Sequence, residues 1–361
     1  MLEREPKPPI GEAKKLTEIV SKGWQEHLLL FSRVKNEVLE VNPAFQRTLP
    51  LALEEGRPSP LGLFIEAAFE RKLEQLPKEK QALEFWPQHH RSIILGRVIF
   101  KDNDGHIYRD IDLKGIGRHP LSRFGSGLGE KMAGSGRIGL LEEDMAEFDY
   151  QMTEEFLMAG IRPCRIIGII KLKEIISMGR KLSLREAEET GIIDKDFHPV
   201  VEVRAYATKF RIDDILAEVS IKNQNAMIED AQKIISREFG IKEFESNYDY
   251  LKWFAETLGR NVGLIHKNGW LHDYLTGHNI TLDCRIIDLD SLSRLTNEEE
   301  RLSEVRIAMS AFSLLFKELK ELKFSEDRGG GMEYLEELFN ENYDAAFPQE
   351  ERLEYYEKLK K

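Results

Sequence analysis

The sequence predicts an α+β protein of two lobes, preceded by a helical N-terminal extension. Three observations predict it. Short β-rich runs flank a glycine-dense loop between about residues 90 and 210. Nearly everything after Arg211 has helical periodicity. A single polar, strand-bearing interruption, 269–293, breaks that helical half. With 361 residues the chain can fill two medium cores.

Residues 1–85 read as mostly helical. Leu16 to Leu30 and Leu61 to Leu83 carry apolar positions at helical spacing, with proline-containing breaks between them. The expectation is an extension that packs on the main domain. From His90 the texture changes. Ser92 to Phe100 predicts a buried strand, Asp102-Asn-Asp-Gly105 a hairpin turn, and Ile107 to Lys114 the return strand. A loop with eight glycines between Gly115 and Gly139 follows, then a helix from about Leu140 to Ala159 that Gly160 caps. Arg165 to Leu172 and Val200 to Phe210 predict two more strands. This order suits the small upper lobe of a protein-kinase-like fold, which assigns 86–211 to that lobe. Residues 212–361 form the mostly helical lower lobe, with amphipathic helices over Ile228 to Phe239 and Tyr250 to Lys267 and a charged helical tail from Asn297.

Charge narrows the partners. Sixty-four acids against 52 bases leave a net charge of −12, the wrong balance for a general nucleic-acid coat. Two cysteines, Cys164 and Cys284, make neither a disulfide framework nor a zinc module. The first residues have no apolar signal core, and no run reaches the roughly 18 apolar residues of a membrane span. The expectation is a cytoplasmic protein with neither nucleic acid nor membrane as partner.

The segment LHDYLTGHNITLDCRIIDLDSL carries the most specific chemistry. A hard divalent cation takes oxygen ligands and keeps positions open for phosphate and water, so one amide carbonyl and one carboxylate suffice. Asn279 and Asp288 fit those roles, with a strand pair turning at Asp283-Cys284 to set their separation. Lys114 ends a strand just before the glycine loop and can offset phosphate charge. It needs an acidic partner. On the 140–159 helix, Asp149 sits at the edge of the apolar stripe of Leu141, Met145, Phe148, Met152 and Phe156, whereas Glu147 points away. Arg204 and Arg211 form a pair able to fork onto a polyphosphate.

Together these residues resemble a known family. The run DLKGIGRHPLSRFGSG, then RPCR after a helix, then VRAYATKFR, then GHNITL and IIDLD resemble selenoprotein O over roughly residues 89–293. The spacings agree with that family: Arg204 and Arg211 are seven apart, Asn279 and Asp288 nine apart. The resemblance implies a kinase-like fold that uses ATP and Mg²⁺ to transfer AMP to hydroxyls of a protein substrate. It makes Lys114 the nucleotide lysine, Arg204 and Arg211 the polyphosphate arginines, and Asn279 and Asp288 the magnesium ligands. Arg91 resembles the arginine of the family's first glycine-rich turn, although His89-His90 stand where its glycines would be. In the second glycine loop Ser126, followed by Gly127, replaces the family's aspartate, unless Ser135 does. The family's base, an Asp directly before the metal Asn, is His278 here. A histidine can accept a proton near neutral pH. Asp273, six residues before Asn279 and directly after His272, is the other candidate base. Two other activities share this fold: transfer of the γ-phosphoryl group, and nucleotide binding without catalysis.

Overall fold

The computed structural model describes residues 11–12, 28–45, 48–51, 53–69, 80–84, 92–117, 139–177, 180–321 and 331–359. The chain divides into two compact units, one of residues 1–148 with 165–206 and one of 149–164 with 207–361.

The first unit is built on antiparallel strands. Those of its main sheet are β1 (Gly11–Glu12), β3 (Asn36–Val41), β6 (Ser92–Lys101), β7 (Ile107–Lys114), β8 (Leu141–Glu142), β9 (Arg165–Leu172) and β12 (Pro199–Tyr206). Their order is β1-β6-β7-β12-β9-β3, with β8 pairing on β12. A second sheet has the order β4-β2-β5, from β2 (Leu28–Arg33), β4 (Leu63–Phe69) and β5 (Lys80–Glu84). A small hairpin joins β10 (Glu174–Ser177) to β11 (Arg180–Ser183).

These strands correct the helical reading of residues 1–85 where it is described; 13–27 and 70–79, which hold most of the two runs read as helical, lie outside the described residues. Leu28–Arg33, Asn36–Val41, Leu63–Phe69 and Lys80–Glu84 are all strands. Short apolar runs such as LLLF satisfy a helical template and a strand template equally, and only pairing with distant strands decides between them. Strands β6, β7, β9 and β12 follow the expected texture, with the β6–β7 hairpin turning at 102–106, whereas β1, β8, β10 and β11 have no counterpart in the sequence reading.

One face of the main sheet is apolar. Ile111, Leu113, Val201, Val203 and Ala205 pack with Val38, Phe45, Phe100 and Ile170 into a core. Phe45 makes an edge contact with Tyr108, whose ring stacks on Phe100. Because strand side chains alternate, the opposite face carries Asp110, Asp112 and Lys114 of β7 and Glu202, Arg204 and Tyr206 of β12. All six are buried.

The second unit is helical. Helix α1 (Glu143–Met158) begins in the first unit and continues into the second from Asp149. After α2 (Leu184–Glu189) of the first unit come α3 (Ile212–Ala217), α4 (Ile221–Phe239), α5 (Asn247–Lys267), α6 (Glu298–Glu321), α7 (Met332–Ala346) and α8 (Gln349–Leu359). Ser220 and Ser246 cap α4 and α5 through their side chains, and Gly240 ends α4 in the left-handed conformation. Helices α5 and α7 approach closely at two glycines. A Cβ on Gly259 would lie 2.2 Å from the Phe339 carbonyl oxygen, and one on Gly263 would lie 2.7 Å from that of Tyr343. Among the described residues no helix is long and apolar enough to cross a membrane.

Candidate functional site

The segment between α5 and α6 is irregular, and hydrogen bonds rather than strand length hold it. Residues 280 and 286 form an isolated antiparallel bridge, and the Ile287 N–H donates to the Asn279 carbonyl at 3.1 Å. The intervening turn is anchored from several sides. Thr281 Oγ1 and Arg285 Nε donate to the two oxygens of Asp283, each at 2.7 Å. Tyr250 donates its hydroxyl to the Leu282 carbonyl at 2.6 Å, and Asn261 its amide to that of Cys284 at 3.0 Å. Cys284 takes a left-handed φ of 57° at this turn. It is a structural thiol, since burial pushes its pKa far up.

This clamp brings Asn279 next to the residue preceding Asp288. The Asn279 side chain donates from Nδ2 to the Tyr274 carbonyl at 2.9 Å, which fixes the amide. Its Oδ1 is buried and has no hydrogen-bond partner. Asp288 is half-buried, with φ at 59°. An orphaned amide oxygen and a neighbouring carboxylate are the donor set a hard cation takes, so these residues fit Mg²⁺.

The preceding loop is tied to the same place. His272 donates from Nε2 to the Ile287 carbonyl at 2.7 Å, and Ser291 Oγ bonds the carbonyls of His272 and Asp288 at 2.9 and 3.0 Å. The backbone amides of His272 and Asp273 both donate to Glu304 Oε1 at 2.7 Å. These two bonds hold Asp273 at φ 65°, a costly conformation for a residue with a Cβ. Its side chain is exposed. The other oxygen of Glu304 meets His266 Nε2 at 2.8 Å, and His266 Nδ1 meets the Tyr343 hydroxyl at 2.8 Å. Arg301 in turn donates to that hydroxyl at 2.9 Å. Helices α5, α6 and α7 thus all brace the loop.

Arg211 leads into α3 and is 3% exposed. Its Nη1 donates to His278 Nε2 at 2.9 Å and to the His278 carbonyl at 2.8 Å. A guanidinium has no acceptor, so the imidazole offers its lone pair there and Nδ1 holds the ring proton. Arg211 Nε is buried with no hydrogen-bond partner. Nearby, the Asp213 N–H donates to the Gly277 carbonyl at 3.1 Å, and a Cβ on Gly277 would lie 2.4 Å from Asp213 Oδ1. Burial pushes the Asp213 carboxyl above its ordinary value, against the opposing field of Arg211.

In the first unit Lys114 is buried at the end of β7, directly opposite Glu202 in the β7–β12 ladder. Gly115, at φ 94°, starts the turn that leaves the sheet, and a Cβ there would meet the Val200 carbonyl oxygen at 2.4 Å. Arg204 donates to Asp112 Oδ2 at 3.0 Å and has its Nε 3.5 Å from Glu202 Oε1. Its charge is therefore opposed by two carboxylates, unlike that of Arg211. Asp149 lies wholly buried on α1. Arg91, Ser126 and Gly127 lie outside the described residues.

Sequence reasoning missed Glu304 and Asp213. Glu304 sits in the acidic opening of α6 among solvated neighbours, and nothing local marks it. Asp213 had a signal, an Asp pair directly after Arg211. A further acidic group, Asp102, Asp104 and His106, forms the β6–β7 turn. Arg165 bridges both aspartates there, which accounts for the cluster without a metal.

No family model matches the chain, and no curated protein matches it. Among solved structures, one described as WaaP in complex with acyl carrier protein is similar at 13% identity and a TM-score of 0.27, over 76% of this chain and 91% of that one. A Toxoplasma gondii specific rhoptry antigen kinase domain is similar at 11% identity and a TM-score of 0.30, over 74% and 82%.

Proposed function

We propose that the chain is an ATP- and Mg²⁺-dependent transferase of the kinase-like fold, and more narrowly a protein adenylyltransferase related to selenoprotein O. The observation that carries this reading is the buried, partnerless Oδ1 of Asn279, one hydrogen-bonded step from the residue before Asp288. Asn279 and Asp288 would hold the cation. When bound, Mg²⁺ offsets charge on the phosphate oxygens.

The other residues supply binding and proton transfer. Arg211 presents a buried guanidinium edge suited to a phosphate oxygen, and Lys114 keeps the nucleotide role that the resemblance gives it. Arg91, Ser126 and Gly127 keep the nucleotide contacts that the resemblance gives them. The acceptor hydroxyl oxygen bonds to the α-phosphorus as the bond to the bridging oxygen breaks, pyrophosphate leaves, and the proton passes to a carboxylate. Asp273 suits that role better than His278, whose Nε2 lone pair is taken by Arg211.

One observation favours γ-phosphoryl transfer instead. Asp112 and Glu202 already oppose Arg204, which leaves one free-edged guanidinium rather than two for a reversed nucleotide. Parallel incubation with ATP labelled at the α or the γ position tests the choice. Protein label from the α position alone is the expected result. Label from the γ position alone overturns AMP transfer in favour of a kinase. Label from neither, with thermal stabilisation by Mg-ATP, overturns the enzyme reading in favour of a nucleotide-binding protein.

A further inference from the structure

The turn between Asn279 and Asp288 is held by charge as well as by the neutral bonds from Tyr250 and Asn261. Glu238, in the last turn of α4, accepts hydrogen bonds from two arginines. Arg162 forks onto it, Nη1 to Oε1 at 3.2 Å and Nη2 to Oε2 at 3.1 Å. Arg285 donates from Nη2 to the same two oxygens, at 3.0 and 3.3 Å. Asp283 is in reach of both guanidiniums, 2.7 Å from Arg285 Nε and 3.6 Å from Arg162 Nη2. The side chains of Glu238, Asp283 and Arg285 are 3%, 0% and 1% exposed. Forked arginine bonds at such a depth fix geometry as well as charge. Arg162 lies in the stretch that leaves α1, and its main chain joins the same turn. The Ile286 N–H donates to the Arg162 carbonyl at 2.8 Å, and the Cys164 N–H to that of Ile286 at 2.9 Å.

We propose that Glu238 is a positioning residue for the metal pair of Asn279 and Asp288, acting at the far end of their turn through Arg285 and Arg162. This rests on the reading of that pair as the magnesium ligands. Three rungs carry the effect from the turn to the pair. The Thr281 N–H donates to the Arg285 carbonyl at 3.0 Å, residue 280 bridges residue 286, and the Ile287 N–H reaches the Asn279 carbonyl. Asp288 follows directly, so a turn that splays moves its carboxylate against the Asn279 amide oxygen. With Glu238 neutral, two guanidiniums would share the single carboxylate of Asp283, and α4 would lose its hold on the turn. Tyr250 and Asn261, which bond only main-chain carbonyls, cannot replace that charge. Glu238 itself touches neither metal nor substrate.

The test compares Glu238→Gln with the wild type, as whole chains, by two readouts. Amide hydrogen exchange on nucleotide-free protein, read by mass spectrometry, follows the turn without reference to a metal. The amides of 280–287 are expected to exchange about tenfold faster or more, and those of the β6–β7 pairing to keep their rates. No acceleration at 280–287, or the same acceleration throughout the chain, overturns the proposal. Equilibrium dialysis of labelled ATP at graded Mg²⁺ gives the second readout. The half-saturating Mg²⁺ concentration is expected to rise about tenfold, the scale on which groups behind a metal's ligands set its affinity. A loosened turn with an unchanged Mg²⁺ requirement overturns the positioning role and leaves the functional reading standing. A loosened turn in a chain whose wild type binds ATP without Mg²⁺ overturns the metal reading instead, and keeps only the hold of Glu238 on the turn. Should Glu238→Gln fail to fold, the double variant Arg162→Gln, Glu238→Gln removes one charge of each sign and leaves Arg285 paired with Asp283. It is held to the same outcomes.

Discussion

Arg211 donates from one terminal nitrogen both to Nε2 of His278, at 2.9 Å, and to its backbone carbonyl, at 2.8 Å. The histidine therefore aims the arginine, and its lone pair is spent in doing so.

The first prediction follows for the base. His278→Ala is expected to raise the KM for ATP, since Arg211 loses its guide, while kcat falls little. Asp273→Asn is expected to lower kcat by about 10²–10⁴ with little change in KM. Steady-state kinetics of the two variants check this, and the opposite split would make His278 the base.

The second concerns the metal. Asp288→Asn keeps a residue that accepts the left-handed backbone and removes the charge. Turnover is expected to drop by about a hundredfold or more, with the melting temperature nearly unchanged. Asn279→Ala should weaken Mg²⁺ dependence in the same direction. Titration of activity against magnesium reads both, and wild-type activity in Asp288→Asn would displace the metal from this loop.

Glu304 is the third. Its two oxygens accept the amides of His272 and Asp273 and meet His266. Glu304→Gln cannot satisfy all three as before, and a buried group left unsatisfied costs about 1–3 kcal/mol. The expected outcome is that loss in urea denaturation together with a fall in kcat, as Asp273 relaxes from φ 65°. Unaltered kcat would show that the clamp does not set the catalytic geometry.

The fourth is a pH dependence at the β6–β7 turn. Burial works against the Asp102 carboxylate, yet bonds from His106 and Tyr108 and the charge of Arg165 hold its pKa well below the ordinary 3.8. A folded-state value below the unfolded one stabilises the protein above the unfolded pKa. That contribution is lost as pH falls below about 4. Asp102→Asn should therefore cost stability at pH 7 and progressively less as the pH falls below 4. Melting curves across that range check it, and a cost independent of pH would assign it to the hydrogen bonds alone.

Legibility in the sequence followed the range of the interactions. The β6–β7 hairpin shows itself locally, because two β-rich apolar runs flank an Asp-Asn-Asp-Gly turn. Helix α5 does so through its period, and the 269–293 segment by interrupting one. The strands at 28–33 and 63–69 do not, because a six- or seven-residue apolar run has no period long enough to separate strand from helix. Register is equally hidden. Lys114 and Glu202 are far apart in sequence, and nothing near either names the other. Glu304 is invisible for the same reason, an acid among acids until α6 turns it inward.

The bare backbone seam at Gly259 and Gly263 reaches further than packing. Helix α7 settles against α5 at a depth that no branched residue permits, and that depth is what delivers the Tyr343 hydroxyl to His266. Widening the seam by a methyl group would pass through Tyr343, His266 and Glu304 to the loop that carries Asp273. In a saturation screen for activity, two glycines that meet no substrate would score among the least replaceable positions of the chain.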